Sequence, residues 1–144
     1  MKKKLVLVTF EREAKERYLQ DLQKFFRDYL DIEGYSISEK INVSIDCDLL
    51  LISSPSATKY VKPHLARDIE IIYLARTFIR ENLNKLYDLP SGTKAMLVDY
   101  SYDTCMDIIS VLYEVGIKHI DFTPVYPNMN RDDKNNIDLA VTPG

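Results

Sequence analysis

The chain has 144 residues and a formal net charge of −3, with 46% apolar and 28% charged residues. That length suits one compact domain with a sizeable core, and the apolar share excludes a disordered tail. Lysines and arginines are interspersed with carboxylates instead of forming a basic stripe, so direct nucleic-acid contact is disfavoured.

Lys2-Lys3-Lys4 and the apolar run from Leu5 open like a signal peptide, but the run stops at Phe10 and meets Glu11-Arg12-Glu13. Its uninterrupted core falls short of the ~7 residues an apolar signal segment needs. No later apolar run approaches ~18 residues, so no membrane span and a cytoplasmic address are expected. Cys47 and Cys105 are far apart and outside any Cys-x-x-Cys spacing, which fits buried reduced thiols.

Leu5 to Val8 is a short continuous apolar run and predicts a strand buried on both faces. From about Glu11 to Leu30, Tyr18, Leu22, Phe25, Phe26 and Tyr29 recur at helical spacing; this predicts an amphipathic helix, with Gly34 just past its end. Tyr35 to Ser38 can form a second strand, and a short helix or irregular link through Ile41 and Val43 carries the chain to the next apolar run. Asp48 to Ile52 repeats the first strand's pattern and predicts a central parallel strand ending in Ser53-Ser54-Pro55-Ser56.

Ala57 to Leu65 predicts a short helix and Ile69 to Leu74 another buried strand, ending at Ala75-Arg76-Thr77. A helix from about Arg80 to Tyr87 closes at the turn cluster Leu89-Pro90-Ser91-Gly92. The pattern then restarts with a strand over 95–98, a helix from Tyr102 to Val115 ended by Gly116, and strands over 119–122 and 137–141. The alternation predicts an α/β fold with mostly parallel sheets and flanking helices. It divides into a first lobe over 1–76, a linker helix and turn over 77–92, and a second lobe over 93–144. The second lobe looks incomplete because its last strand lacks a following helix, so the length suggests a piece of a longer protein.

Ligands gather at the carboxyl ends of strands in open parallel sheets. Here those ends supply Thr9, Ser53, Ser54, Arg76, Thr77, Tyr100, Ser101, Tyr102 and Thr123. Such hydroxyls can hydrogen-bond a small polar ligand, and Arg76 can grip a carboxylate or phosphate with two donors. The same serines and threonines can equally cap helices, as Ser101 or Asp103 would for the helix that follows. Tyr126 falls near the same rim.

Several chemistries have no support. The four glycines form no phosphate-binding loop. His64, His119, Cys47 and Cys105 lie at no metal-ligand spacing, and His119 precedes its strand, at the wrong end for a catalytic base. A phosphoacceptor receiver would need an aspartate where Ser53-Ser54 stands. No catalytic residue, metal or cofactor is therefore expected.

Four phrases carry a family resemblance: Asp48-Leu49-Leu50-Leu51-Ile52-Ser53-Ser54-Pro55-Ser56, Tyr73-Leu74-Ala75-Arg76-Thr77-Phe78, Leu89-Pro90-Ser91-Gly92-Thr93-Lys94-Ala95, and Leu112-Tyr113-Glu114-Val115-Gly116-Ile117-Lys118-His119. Together they resemble the amino-terminal sensory region of bacterial sigma-54-dependent transcriptional activators, of the propionate-catabolism type. The resemblance implies two flavodoxin-like or periplasmic-binding-like halves. It also implies a small-molecule effector, possibly anionic, held between lobes to control downstream AAA+ ATPase and DNA-binding domains of a longer chain. A homodimer without membrane contact completes the expectation. The alternative is a non-catalytic dimerisation module with a degenerate receiver-like fold.

Overall fold

The computed structural model describes residues 1–74, 78–129 and 137–143, so Arg76 and Thr77 lie outside the described residues. The chain forms two compact units, Met1–Ala75 and Arg76–Gly144. Each is an α/β layer on a parallel sheet, as the alternation of apolar runs and amphipathic stretches predicts.

In the first unit, β1 (Lys3–Thr9), β2 (Leu30–Ser36), β3 (Leu49–Ile52) and β4 (Ile71–Tyr73) form a sheet in the order β2-β1-β3-β4. The continuous apolar runs are the two central strands. They are apolar at every position because both faces are covered. On one face, Val6, Val8, Leu50 and Ile52 pack with Ile41, Ile45 and Cys47 from the irregular link and with Ala57 and Val61. The latter two sit on or beside α2 (Thr58–Val61), which lies between two 3-10 turns and is shorter than the helix expected over 57–65. On the other face lies α1 (Arg12–Phe26).

Gly34 corrects the expectation of a helix terminator. It lies within β2, paired with Leu7, and a Cβ built there would stand 2.6 Å from Leu19 Cδ1. The glycine lets α1 approach the strand, while the helix ends earlier, at Phe26. Its last turn overhangs the amino edge of the sheet, where Lys3 pairs with Leu30. Phe25, Phe26 and Tyr29 are accordingly 65%, 45% and 74% exposed. β4 is likewise an edge strand with Ile72 and Tyr73 exposed, where a buried strand was expected.

In the second unit, β5 (Thr93–Val98), β6 (Ile120–Val125) and β7 (Leu139–Val141) are parallel, in the order β6-β5-β7. α4 (Tyr102–Glu114) covers Ala95 and Leu97 with Cys105, Ile108, Ile109 and Leu112, and α3 (Arg80–Tyr87) adds Leu83 and Leu86 to that core. Gly116 takes φ +95° after α4, the left-handed turn that ends helices. β6 runs through Pro124, and an edge strand tolerates the missing N–H.

The two units repeat one frame. Lys4 pairs with Asp31 and Lys94 with Asp121, while Leu5 pairs with Leu49 and Ala95 with Leu139, an offset of 90 positions in every case. The same offset carries Arg12, where α1 starts, to Tyr102, where α4 starts. Even an end-of-strand hydrogen bond is duplicated. The Lys4 amide donates to Asp48 Oδ2 at 2.8 Å and the Lys94 amide to Asp138 Oδ2 at 3.0 Å. Each aspartate amide returns a bond to that lysine's carbonyl, at 2.9 and 2.8 Å. These aspartates satisfy amides near the start of each central strand that would otherwise be left without a partner.

Candidate functional site

In each unit the first strand has neighbours reached in opposite directions, so the strand order reverses beside β1 and beside β5. Crevices outside the carboxyl ends at such points are where open α/β sheets hold ligands.

At the first unit's rim the expected residues are tied into the unit's own structure. Thr9 is fully buried and its Oγ1 donates to the Glu11 carbonyl at 2.6 Å. Ser54 is buried as well, and its carbonyl accepts the Ala57 amide at 3.0 Å, opening the 3-10 turn that follows. Ser53 is half-buried, with its backbone tied to Val8. Ser36, the last residue of β2, donates to Glu39. These groups hold the strand ends together.

The second unit's rim is different. Ser101 is the N-cap of α4 in a reciprocal capping box: its Oγ accepts the Thr104 amide at 3.2 Å, and Thr104 Oγ1 accepts the Ser101 amide at 3.0 Å. Of the two capping candidates Ser101 holds the cap, and Asp103 sits in the first turn, where its charge favours the helix dipole. Asp99, just past β5, accepts the Tyr100 amide at 2.8 Å. Tyr100 and Tyr102 project with 43% and 51% of their surface exposed.

Thr123 is misplaced by the sequence reading. It lies inside β6, level with Met96, and is exposed on the strand rather than at its end. The strand continues through Pro124 because its outer side needs no donor, and the rim position falls to Tyr126. The rings of Tyr102 and Tyr126 stand 6.2 Å apart at 74°, edge to face. The Tyr126 amide donates to Met129 Sδ at 3.3 Å, which fixes the turn behind it.

A cavity absent from the sequence-based expectations lies at the opposite, amino-terminal end of the first sheet. It measures about 650 Å³ and is lined in part by Lys2, Lys4, Arg27, Asp31 and Asp48. Its charges are engaged locally. Lys4 Nζ is 3.0 Å from Glu33, Lys2 Nζ donates to the Arg27 carbonyl at 2.6 Å, and Asp48 caps β1. The Lys4 hydrogen bond holds the Glu33 carboxyl below the usual range, and the Lys4 ammonium is raised in turn.

Both thiols are buried, and burial pushes each pKa up. Cys105 Sγ is 3.4 Å from the Leu97 carbonyl. Neutral, enclosed thiols of this kind make poor nucleophiles. His119 Nε2 is 3.0 Å from the Leu86 carbonyl, at the amino end of β6 and away from the rim. Among the described residues no group of three or more His, Cys, Asp or Glu side chains is placed to hold a metal. No described helix is long and apolar enough to cross a membrane. Compared with protein-family models, curated proteins and solved structures, the chain matches none at a significant level.

Proposed function

We propose that this chain is a ligand-sensing regulatory domain, of the kind found in sigma-54-dependent activators, that works without catalysis. A small metabolite seated at the carboxyl rim of the second unit biases a conformational equilibrium, and downstream ATPase and DNA-binding domains read the bias. The observation carrying this reading is the open rim of Tyr100, Ser101, Tyr102 and Tyr126 at the point where the strand order reverses. Flat apolar faces with hydroxyls at their tips suit a small, partly polar molecule.

A thermal-shift screen of amines, amino acids, carboxylates and phosphorylated metabolites tests it. A true effector at about 100 times its dissociation constant adds ~2.7 kcal/mol of stability. If no compound in any class raises the melting temperature, the sensing role is wrong.

The exposed cluster of Phe25, Phe26 and Tyr29 favours a second reading, a homodimer formed through the end of α1. Arg27 and Asp28 lie between Phe26 and Tyr29 and carry opposite charges, so a second copy turned by a two-fold axis meets complementary charge. In that case sedimentation shows a concentration-dependent dimer that Phe25→Asp converts to monomer. A wild-type chain that stays monomeric at all concentrations rules the dimer out.

A further inference from the structure

The cavity at the amino-terminal end of the first unit is walled by the ends of several elements: the end of α1, the starts of β1 and β2, and the residue before β3. All of them belong to one unit, so the shape of the cavity is set within it. Its volume of about 650 Å³ falls in the range that small ligands fill, roughly 300–1,000 Å³. Leu30 and Ile32, both half-buried, give it apolar lining.

The charges around it sort by sign. Lys2 and Arg27 meet at the end of α1, where Lys2 Nζ donates to the Arg27 carbonyl at 2.6 Å. Asp31 and Asp48 flank the start of β1: Asp31 stands opposite Lys4 in the β1–β2 register, and Asp48 Oδ2 accepts the Lys4 amide at 2.8 Å. Bonds to a carbonyl and to an amide hold Lys2 and Asp48 in place without cancelling their charge. The nearby cations that could neutralise the carboxylates are bonded elsewhere. Lys4, which Asp31 also attracts, is 3.0 Å from Glu33, and Arg67, which Asp48 also attracts, is 2.8 Å from Asp46. Arg27 has Asp28 at 4.0 Å, but those side chains are 78% and 82% exposed, and water screens the pair. Among the described residues no ion pair joins Lys2 or Arg27 to Asp31 or Asp48. The cavity therefore has a cationic end and an anionic end that do not neutralise each other.

A ligand of a single sign gains at one end and is repelled at the other, whereas one carrying both signs gains at both. We infer that this cavity binds a small zwitterion, an amino acid or short peptide, with its carboxylate toward Lys2 and Arg27, its ammonium toward Asp31 and Asp48, and an apolar side chain against Leu30 and Ile32. The site belongs to the first unit and does not rest on the ligand reading of the second unit's rim.

The test titrates the full chain with leucine and with leucyl-leucine, followed by backbone amide resonances in NMR spectra. The controls are isocaproate, which is leucine without its ammonium, and isopentylamine, which is leucine without its carboxylate. At least one zwitterion is expected to saturate and to shift the amides of Lys4, Leu30, Asp31 and Ile32, with each singly charged control about tenfold weaker. Arg27→Gln and Asp31→Asn change exposed side chains, so melting curves should stay in place while each weakens the zwitterion about five- to tenfold. Three results overturn the inference: no saturable response to either zwitterion, a singly charged control that binds as tightly, or binding unchanged in both variants. A zwitterion whose shifts fall on Tyr100 to Tyr102 and leave Leu30 to Ile32 still overturns this site and supports the sensing rim. Saturation at Leu30 to Ile32 while no compound of any class reaches the second rim supports this site and removes the rim.

Discussion

At Gly34 two opposing effects of a single methyl group can be weighed. Replacing a strand glycine by alanine ordinarily stabilises a protein by about 0.4–1 kcal/mol, because the unfolded chain loses freedom. Here the added Cβ would lie 2.6 Å from Leu19 Cδ1 and 2.9 Å from its Cγ, so the whole branched end of the leucine must move. Overpacking of that kind costs about 1–3 kcal/mol, and the clash wins. Gly34→Ala is expected to lower the urea midpoint in wild type but to be neutral or stabilising on a Leu19→Ala background. Equal effects in the two backgrounds would remove the contact from the explanation. Charged residues on the same unit set its acid sensitivity. Hydrogen bonds from Lys4 to Glu33 and from Lys15 to Glu39 lower both carboxyl pKa values from 4.5. A depressed native pKa means that the unfolded state binds more protons, so the contribution is complete above about pH 4.5 and is lost as pH falls through the native values. The Glu33→Gln and Glu39→Gln pair should flatten the acid limb of a stability profile, and because Glu33 also raises the Lys4 ammonium, the alkaline limb changes with it.

Elements whose sequence pattern follows from their own burial were legible, and those shaped by a distant neighbour were not. β1 and β3 were plain because two covered faces demand unbroken apolar runs, and α3 and α4 because their periodicity ends in turn residues or glycine. Gly34 looked like a helix stop because a glycine required by close approach of α1 to β2 has the same letter as one required by a left-handed turn. β6 was cut short at Phe122, ahead of Pro124, because sequence does not say which strand is an edge. The rim was found in outline: Tyr100, Ser101 and Tyr102 stand where expected, whereas Thr9 and Ser54 are buried and committed, a distinction invisible without neighbours. The capping box at the start of α4 gives this scale its prediction. Ser101→Ala removes the acceptor for the Thr104 amide and is expected to cost about 1 kcal/mol. Thr104→Ala breaks the reciprocal half, and the double variant should cost less than the two single changes together, since each bond positions the other. Additive losses in denaturant melts would show two independent bonds instead.

For the molecule as a whole, two copies of one frame carry two cores. Val6, Val8, Leu50 and Ile52 anchor the first; Ala95, Leu97, Ile108 and Leu112 anchor the second, and among the described residues none belongs to both. Under the offset of 90 the strands, registers and aspartate caps correspond, yet apolar identity survives only at positions such as Leu7 and Leu97, Val8 and Val98, and Leu49 and Leu139. Each core has been repacked around its own helix and is sensitive to its own cavities. Truncating a fully buried leucine costs about 2–5 kcal/mol, through lost transfer energy and the void left behind. Leu50→Ala is therefore expected to accelerate amide exchange throughout β1, β2 and β3, and Leu97→Ala throughout β5, β6 and β7. Exchange reports the stability of each cooperative unit separately, so the reach of each effect measures where one unit ends. If Leu50→Ala accelerates exchange equally in β5, the two cores unfold as one body despite sharing no described residue.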